Sequence, residues 1–237
     1  MITMALPKLG TPKYVLTVPS SGKEIEYRPY TVREEKALLI AVESKDQKQM
    51  IMAVRDLIDE CTFKAVDSMA MASFDFEYIF LKIRSRSVGE GSDLLFKCKS
   101  CDGKNEYTVN LEDVEVQGEV KRNLKTQLSE EVGVILKYPT VKGASESVSE
   151  GKSQYDTTVD MIISCIDSIY DKDDVYPANE QSPAELRDFV ESFSSQQFKD
   201  VVELFNEMPM VRHDVEFNCT HCGIKNEIKL EGLQSFF

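Results

Sequence analysis

The sequence predicts an α+β fold in which two short cysteine-bearing β segments bracket a mainly helical insertion, with an N-terminal β-hairpin and helices nearby. Three observations predict it: a Cys-x-x-Cys pair that occurs twice, alternating hydrophobicity before residue 30, and helical apolar spacing in two long stretches. We expect three units: residues 1–93, residues 94–118 together with 212–237, and the insertion at 119–211.

The first unit opens with a hairpin. Residues 14–18, Y-V-L-T-V, are predicted as a strand, and after the turn sequence P-S-S-G residues 24–27 alternate polar and apolar side chains as a second strand. Thr31 and Glu34 then form the pattern of a capping box, which predicts a helix to about residue 43. Apolar residues three and four apart predict a second helix at about 46–60 and a third that follows Ser73.

The cysteine segments are copies of one device. Residues 96–109 read F-K-C-K-S-C-D-G-K-N-E-Y-T-V and residues 217–230 read F-N-C-T-H-C-G-I-K-N-E-I-K-L, so a shift of 121 positions carries Cys98 onto Cys219 and Cys101 onto Cys222. In each copy a tight turn presents two thiols and a strand leaves it. Two such knuckles closing on one ion make a zinc ribbon with an all-cysteine ligand set, and we predict these four cysteines as ligands of a structural Zn²⁺.

Two other interpretations of the cysteine pairs stay open. Redox pairs usually lie at a helix N-terminus, which lowers the pKa of a thiol, whereas each pair here precedes a strand. The pairs are also compatible with a vestigial site that no longer binds metal. Four thiolates would fill a tetrahedron, so a catalytic zinc is not expected. His221 could replace one cysteine, although Ser100 at the matching position favours an outward side chain.

The insertion is predicted to begin with strand residues 132–141 and an exposed loop at 142–153. Residues 155–210 are predicted as helices, with Ile162, Ile166 and Ile169 on one stripe. Ser182 and Ser194 each start a capping box, and Met208-Pro209 ends the last helix. The run D-K-D-D at 171–174 resembles a calcium loop but lacks its glycine at position six and its glutamate at position twelve.

Composition limits the functions available. The net charge of −13 disfavours nucleic acid, and with only two histidines and no G-x-x-x-x-G-K loop an enzyme is not expected. No apolar run approaches the roughly 20 residues of a membrane span, and no signal-like pattern opens the sequence, so reduced thiols are expected. Cys61 and Cys165 fall on apolar helix stripes and are predicted core residues. The terminal Leu233, Phe236 and Phe237 either fold back or dock a partner.

Several stretches together resemble the T4-type bacteriophage baseplate hub family, nearly end to end. They are Y-R-P-Y-T-V-R-E-E-K at 27–36, I-S-C-I-D-S-I at 163–169, Met208-Pro209, C-T-H-C-G at 219–223 and G-L-Q-S-F-F at 232–237. The resemblance implies a structural or assembly (chaperone-like) protein of a contractile tail, acting in baseplate hub formation through contacts with other hub and tail proteins. Self-association is left open.

The same resemblance implies a location in the host cytoplasm during assembly and then in the tail baseplate of the virion. A nucleic-acid-binding zinc-ribbon regulator is the alternative, and a thiol oxidoreductase is a third hypothesis.

Overall fold

The computed structural model describes residues 9–121, 124–147 and 151–236, and it shows a mixed α+β chain. The N-terminal half contains β1 (Tyr14–Thr17), β2 (Glu24–Tyr27), α1 (Val32–Ser44), α2 (Gln47–Cys61), α3 (Ser73–Val88), β3 (Gly91–Lys97), β4 (Lys104–Asn110) and β5 (Glu115–Gln117). The remainder contains β6 (Leu124–Gln127), β7 (Gly133–Leu136), α4 (Val141–Ser147), α5 (Gln154–Cys165), β8 (Ile166–Tyr170), β9 (Val175–Pro177), α6 (Pro183–Glu191), α7 (Ser195–Asn206), β10 (Met210–Asn218) and β11 (Lys225–Glu231).

The N-terminal predictions are confirmed where the structure describes them, and residues 1–8 lie outside the described ranges. β1 pairs antiparallel with β2, with Tyr14 opposite Tyr27. The amide of Thr31 donates to Glu34 at 2.6 Å and completes the capping box of α1. Asp46 caps α2 by accepting from the amide of Lys48 at 2.8 Å. Side-chain caps therefore fix where these helices begin.

All strand pairs in the described chain are antiparallel and form four small sheets. β3 pairs with β4, and β10 lies between β11 and β5 in a three-stranded sheet. The insertion carries a four-stranded sheet in the order β6-β7-β8-β9.

One hydrophobic core joins the N-terminal elements to the cysteine-bearing hairpins. Helix α3 supplies its centre with Ile79, Phe80 and Ile83, each fully buried. The hairpin residues Val109 and Val215 belong to the same cluster. The hairpins therefore share a hydrophobic core with α3, and the burial of these apolar side chains stabilises their packing.

A second core lies inside the insertion. Its buried members come from β6, β7, α5, β8, α6 and α7 and from the turn after α7, and they are Leu124, Val134, Leu136, Val159, Ile162, Ile166, Val190, Val201 and Met208. The capping boxes predicted at Ser182 and Ser194 are present and begin α6 and α7.

Two predictions for the insertion are wrong. The predicted helix continues only to Cys165, and Ile166–Tyr170 form strand β8 against β7. The predicted loop at 142–153 contains helix α4 over Val141–Ser147, while residues 148–150 lie outside the described ranges. Gly143 favours close helix packing here, because a Cβ at this position would lie 3.0 Å from Ser164 Oγ on α5. None of the described helices is both long and apolar enough to cross a membrane.

Candidate metal centre

Two turns of the same geometry present the four predicted cysteines. In the first, between β3 and β4, the amide of Cys98 donates to Gly103 O at 2.9 Å, and the amide of Asp102 donates to Cys98 O at 3.0 Å. In the second, between β10 and β11, Cys219 repeats both bonds, to Ile224 O at 2.9 Å and from Gly223 N at 2.8 Å.

The residue that closes each turn has a left-handed backbone, with φ of 54° at Asp102 and 74° at Gly223. These two positions are related by the shift of 121 residues, so the sequence repeat is also a repeat of backbone conformation. Aspartate and glycine are residue types that adopt this conformation readily.

The structure brings the four sulfur atoms of Cys98, Cys101, Cys219 and Cys222 to within 4.8 Å of one another. We call this group the four-cysteine cluster. Cys98 Sγ lies 3.7 Å from Cys222 Sγ, and Cys101 Sγ lies 3.7 Å from Cys219 Sγ. Four sulfurs at about 2.3 Å from a tetrahedral zinc stand about 3.8 Å apart, whereas a disulfide requires about 2.05 Å. The two 3.7 Å pairs match the spacing of zinc ligands, and all four cysteines are free of disulfides.

Hydrogen bonds from the backbone favour the thiolate form of the two buried sulfurs. The amide of Ser100 donates to Cys98 Sγ at 3.4 Å and is the main reason that the pKa of Cys98 is lowered. Burial raises the pKa of Cys219, but bonds from the amides of Cys222 and His221 outweigh it and bring the pKa to about 6. These bonds stabilise the ionised form of both sulfurs, which is the form in which cysteine binds a metal ion.

The pKa of Cys101, one of the two exposed sulfurs, changes in the opposite direction. A bond from the backbone of Gly103 lowers the pKa of Cys101, but the adjoining sulfurs of Cys222, Cys219 and Cys98 raise it to about 12. Four thiolates cannot share so small a volume without compensation, because like charges disfavour one another's ionisation. A bound dication would supply that compensation.

His221 is not part of the cluster. Its ring is exposed, and Nε2 lies 3.0 Å from the carbonyl oxygen of Lys104 on the other knuckle. The ring packs so closely on Gly103 that a Cβ there would stand 2.5 Å from His221 Cδ2. His221 therefore packs on the opposite knuckle and stabilises the contact between the two.

Cys61 and Cys165, here called the core cysteines, are fully buried as predicted. Burial raises the pKa of Cys61 to about 12 and that of Cys165 to about 11. These thiols are therefore held neutral in the interior of the protein.

Two other sequence features, the D-K-D-D run and the C-terminal tip, make their contacts within the chain. Asp171 accepts from the amides of Asp173 and Asp174 at 2.9 and 2.8 Å, which makes the D-K-D-D run a self-bonded turn. Phe236 is fully buried, and its carbonyl accepts from Ser92 Oγ at 3.2 Å and from Arg84. The tip folds back at this residue, and Phe237 lies outside the described ranges.

The sequence interpretation assigned no role to Asn105 and Asn226, which are buried beside the cluster. The repeated K-N-E triplet was the signal that could have found them.

The family model described as T4 bacteriophage base plate protein matches residues 11–237. No curated protein matches the chain, and no solved structure matches it.

Proposed function

Because this chain belongs to the T4 bacteriophage base plate protein family, we propose that it acts in forming the baseplate hub of a contractile tail. Family membership implies a structural role in the phage baseplate. The finer proposal is that the chain works by protein–protein contacts with other hub and tail proteins, during assembly in the host cytoplasm and then in the baseplate. The match over residues 11–237 is the observation that carries it.

We also propose that the four-cysteine cluster binds one structural Zn²⁺. Bound zinc would supply folding energy, since zinc binding is worth about 10–16 kcal/mol in zinc-finger peptides. The chain between the two knuckles is long, but the entropy cost of closing a loop grows only slowly with its length. With four sulfur ligands, no coordination position would be left for water or substrate, which supports a role without catalysis.

The charges on the ribbon favour protein contacts over nucleic acid. Lys225 Nζ lies 2.9 Å from Glu216 and 3.0 Å from Glu227, so its charge is neutralised locally. Lys99 Nζ donates to the carbonyl of Glu227 at 2.8 Å. The net charge of −13 also opposes the approach of phosphates to the chain as a whole.

The test of the hub proposal is a tagged chain recovered from infected cells. We expect mass spectrometry to find tail and hub components with it, and purified particles to contain the chain. Recovery of polymerase with salt-sensitive DNA retention would instead favour the regulator alternative.

The zinc proposal is tested separately by native mass spectrometry of the purified protein. One zinc per chain is expected in the wild type and in Cys61→Ala, a control that changes a core cysteine. Cys219→Ser should lose the ion. A wild-type protein without zinc, or a Cys219→Ser variant that keeps it at equal affinity, contradicts the proposal.

A further inference from the structure

Two asparagines occupy equivalent positions beside the four-cysteine cluster. Asn105 is the second residue of β4, Asn226 is the second residue of β11, and the shift of 121 positions relates them. Each is only 2% exposed. A buried amide side chain is costly unless its donors and acceptor are bonded, so their partners decide what these residues do.

Each asparagine reaches across to the opposite knuckle. Asn105 Nδ2 donates to Cys219 Sγ at 3.6 Å, and Asn226 Nδ2 donates to Cys98 Sγ at 3.5 Å. We call the pair the crossed asparagines. Their targets are the two buried sulfurs, the same two that accept backbone amides at 3.4 Å.

The remaining amide atoms are also bonded. Asn105 Oδ1 accepts from the amide of Thr220 at 2.8 Å and from its hydroxyl at 3.0 Å, and Asn226 Oδ1 accepts from the amide of Lys99 at 3.0 Å. Each Nδ2 donates a second time within its own knuckle, to Gly103 O at 2.8 Å or to Ile224 O at 2.9 Å. This network fixes which amide atom faces the sulfur, because the reversed side chain would face an N–H group with another N–H group.

We propose that the crossed asparagines are positioning residues of the metal centre, which donate to the thiolates of the opposite knuckle and thereby set metal affinity and sulfur donor strength. The proposal rests on the zinc binding proposed above. Four thiolates around a dication carry net negative charge, and N–H donors directed at two of the sulfurs reduce the cost of holding them ionised. Because each donor comes from the other knuckle, neither knuckle has its full bonding alone.

The experiment uses the full chain loaded with Co²⁺, whose sulfur-to-metal charge-transfer band reports both binding and donor strength. In Asn105→Asp and Asn226→Asp the acceptor oxygen that holds the opposite backbone is kept and the N–H donor is lost. Leucine at each position removes donor and acceptor without adding charge. Asn218→Asp, an exposed change beside Cys219, is the matched control.

We expect each aspartate and each leucine variant to bind Co²⁺ about 10–100-fold more weakly, the range typical of lost outer-shell partners. Asn105 and Asn226 variants should behave alike, and Asn218→Asp should leave the affinity nearly unchanged, because it removes no bond to a cluster sulfur. At saturating cobalt the band should move to longer wavelength in the leucine variants, because a sulfur that has lost an N–H donor gives up its electrons more easily.

Saturation separates the band position from any loss of fold stability. Aspartate variants that bind cobalt as the wild type does overturn the proposal. Leucine variants that bind cobalt more weakly but keep the charge-transfer band at the wild-type wavelength also overturn it. That result would show that the asparagines only hold the two backbones together. A wild-type protein that binds no cobalt overturns this proposal and the zinc proposal together.

Discussion

Glu77 on α3 gives the protein a pH-dependent stability that can be measured. Its carboxyl lines a groove of about 350 Å³ together with Ile51, Phe76, Val141 and Leu233. Burial raises the pKa of Glu77 from 4.5 to about 7, although a backbone bond from Leu233 opposes the rise. The folded protein therefore holds this carboxyl neutral at a pH where the unfolded chain has ionised it.

The magnitude and sign follow from linkage. One pKa unit corresponds to about 1.4 kcal/mol, so a rise from 4.5 to about 7 costs up to roughly 3 kcal/mol of stability once Glu77 is ionised. The side chain is partly exposed, so solvent reduces this figure to about 1–3 kcal/mol. Between pH 4.5 and 7 the native state keeps a proton on Glu77 that the unfolded chain has lost, so the free energy of unfolding falls as pH rises through this window. Above pH 7 Glu77 causes no further change in stability.

The assay is urea unfolding at pH 5 and pH 8 for the wild type and Glu77→Gln. The amide stays neutral and can still accept from Leu233, so we expect the stability of the variant relative to the wild type to be about 1–3 kcal/mol greater at pH 8 than at pH 5. Cluster thiols titrate in both proteins and cancel in the comparison. Glu231→Gln, at the exposed rim of the same groove, is the control and should leave the difference between pH values nearly unchanged. If Glu77→Gln loses stability with pH as steeply as the wild type, the assignment to this carboxyl is refuted.

Three further outcomes are expected. Phe236→Ala should lower the free energy of unfolding by about 3–5 kcal/mol in urea titrations, because the ring is fully buried. Phe63→Ala, at a residue that is 48% exposed, should cost far less. Equal costs would contradict the anchoring of the C-terminal turn by Phe236. Gly103→Ala should weaken cobalt binding through the clash with His221, and His221→Ala should restore it; no rescue would mean that the clash is not the cause. Chelation should release four thiols to a thiol reagent, with the two core cysteines reacting only in denaturant; six fast thiols would contradict their burial.

The features that could be predicted from sequence are those whose cause is local. The capping box joins Thr31 to Glu34, three positions apart, and the hairpin pairs residues 7 to 13 positions apart. The two knuckles were predictable for the same reason, since each turn is closed by bonds within its own six residues. Their convergence into one cluster could be expected only because two half-sites with matching spacing occur in one chain.

The wrong predictions depend on distant partners. Ile162, Ile166 and Ile169 fit a helical stripe, but only Ile162 lies in α5, because the chain from Ile166 onward pairs with β7. A short apolar run fits either structure by periodicity alone, and here β-branched residues and an available partner strand decide for β8. The crossing of the asparagines was likewise hidden, because it depends on how the knuckles face each other and not on either sequence.

The two knuckles are related by an approximate two-fold symmetry within the chain. Under the shift of 121 residues the contact of Cys98 with Cys222 becomes that of Cys219 with Cys101, and both distances are 3.7 Å. The bonds of the crossed asparagines exchange in the same way. The rings of Phe96 and Phe217, also related by the shift, stack with centroids 5.9 Å apart and planes at 19°. These are the self-complementary contacts of a two-fold dimer, made here within one chain.

The internal pairing covers the facing sides of the two knuckles. The symmetry also ends outside the knuckles, because β10 accepts β5 along its edge while β3 pairs with β4 alone among the described strands. Outside the contact between the knuckles, large apolar side chains remain exposed at Leu39 and Ile40 of α1 and at Leu95 of β3, each 55% exposed.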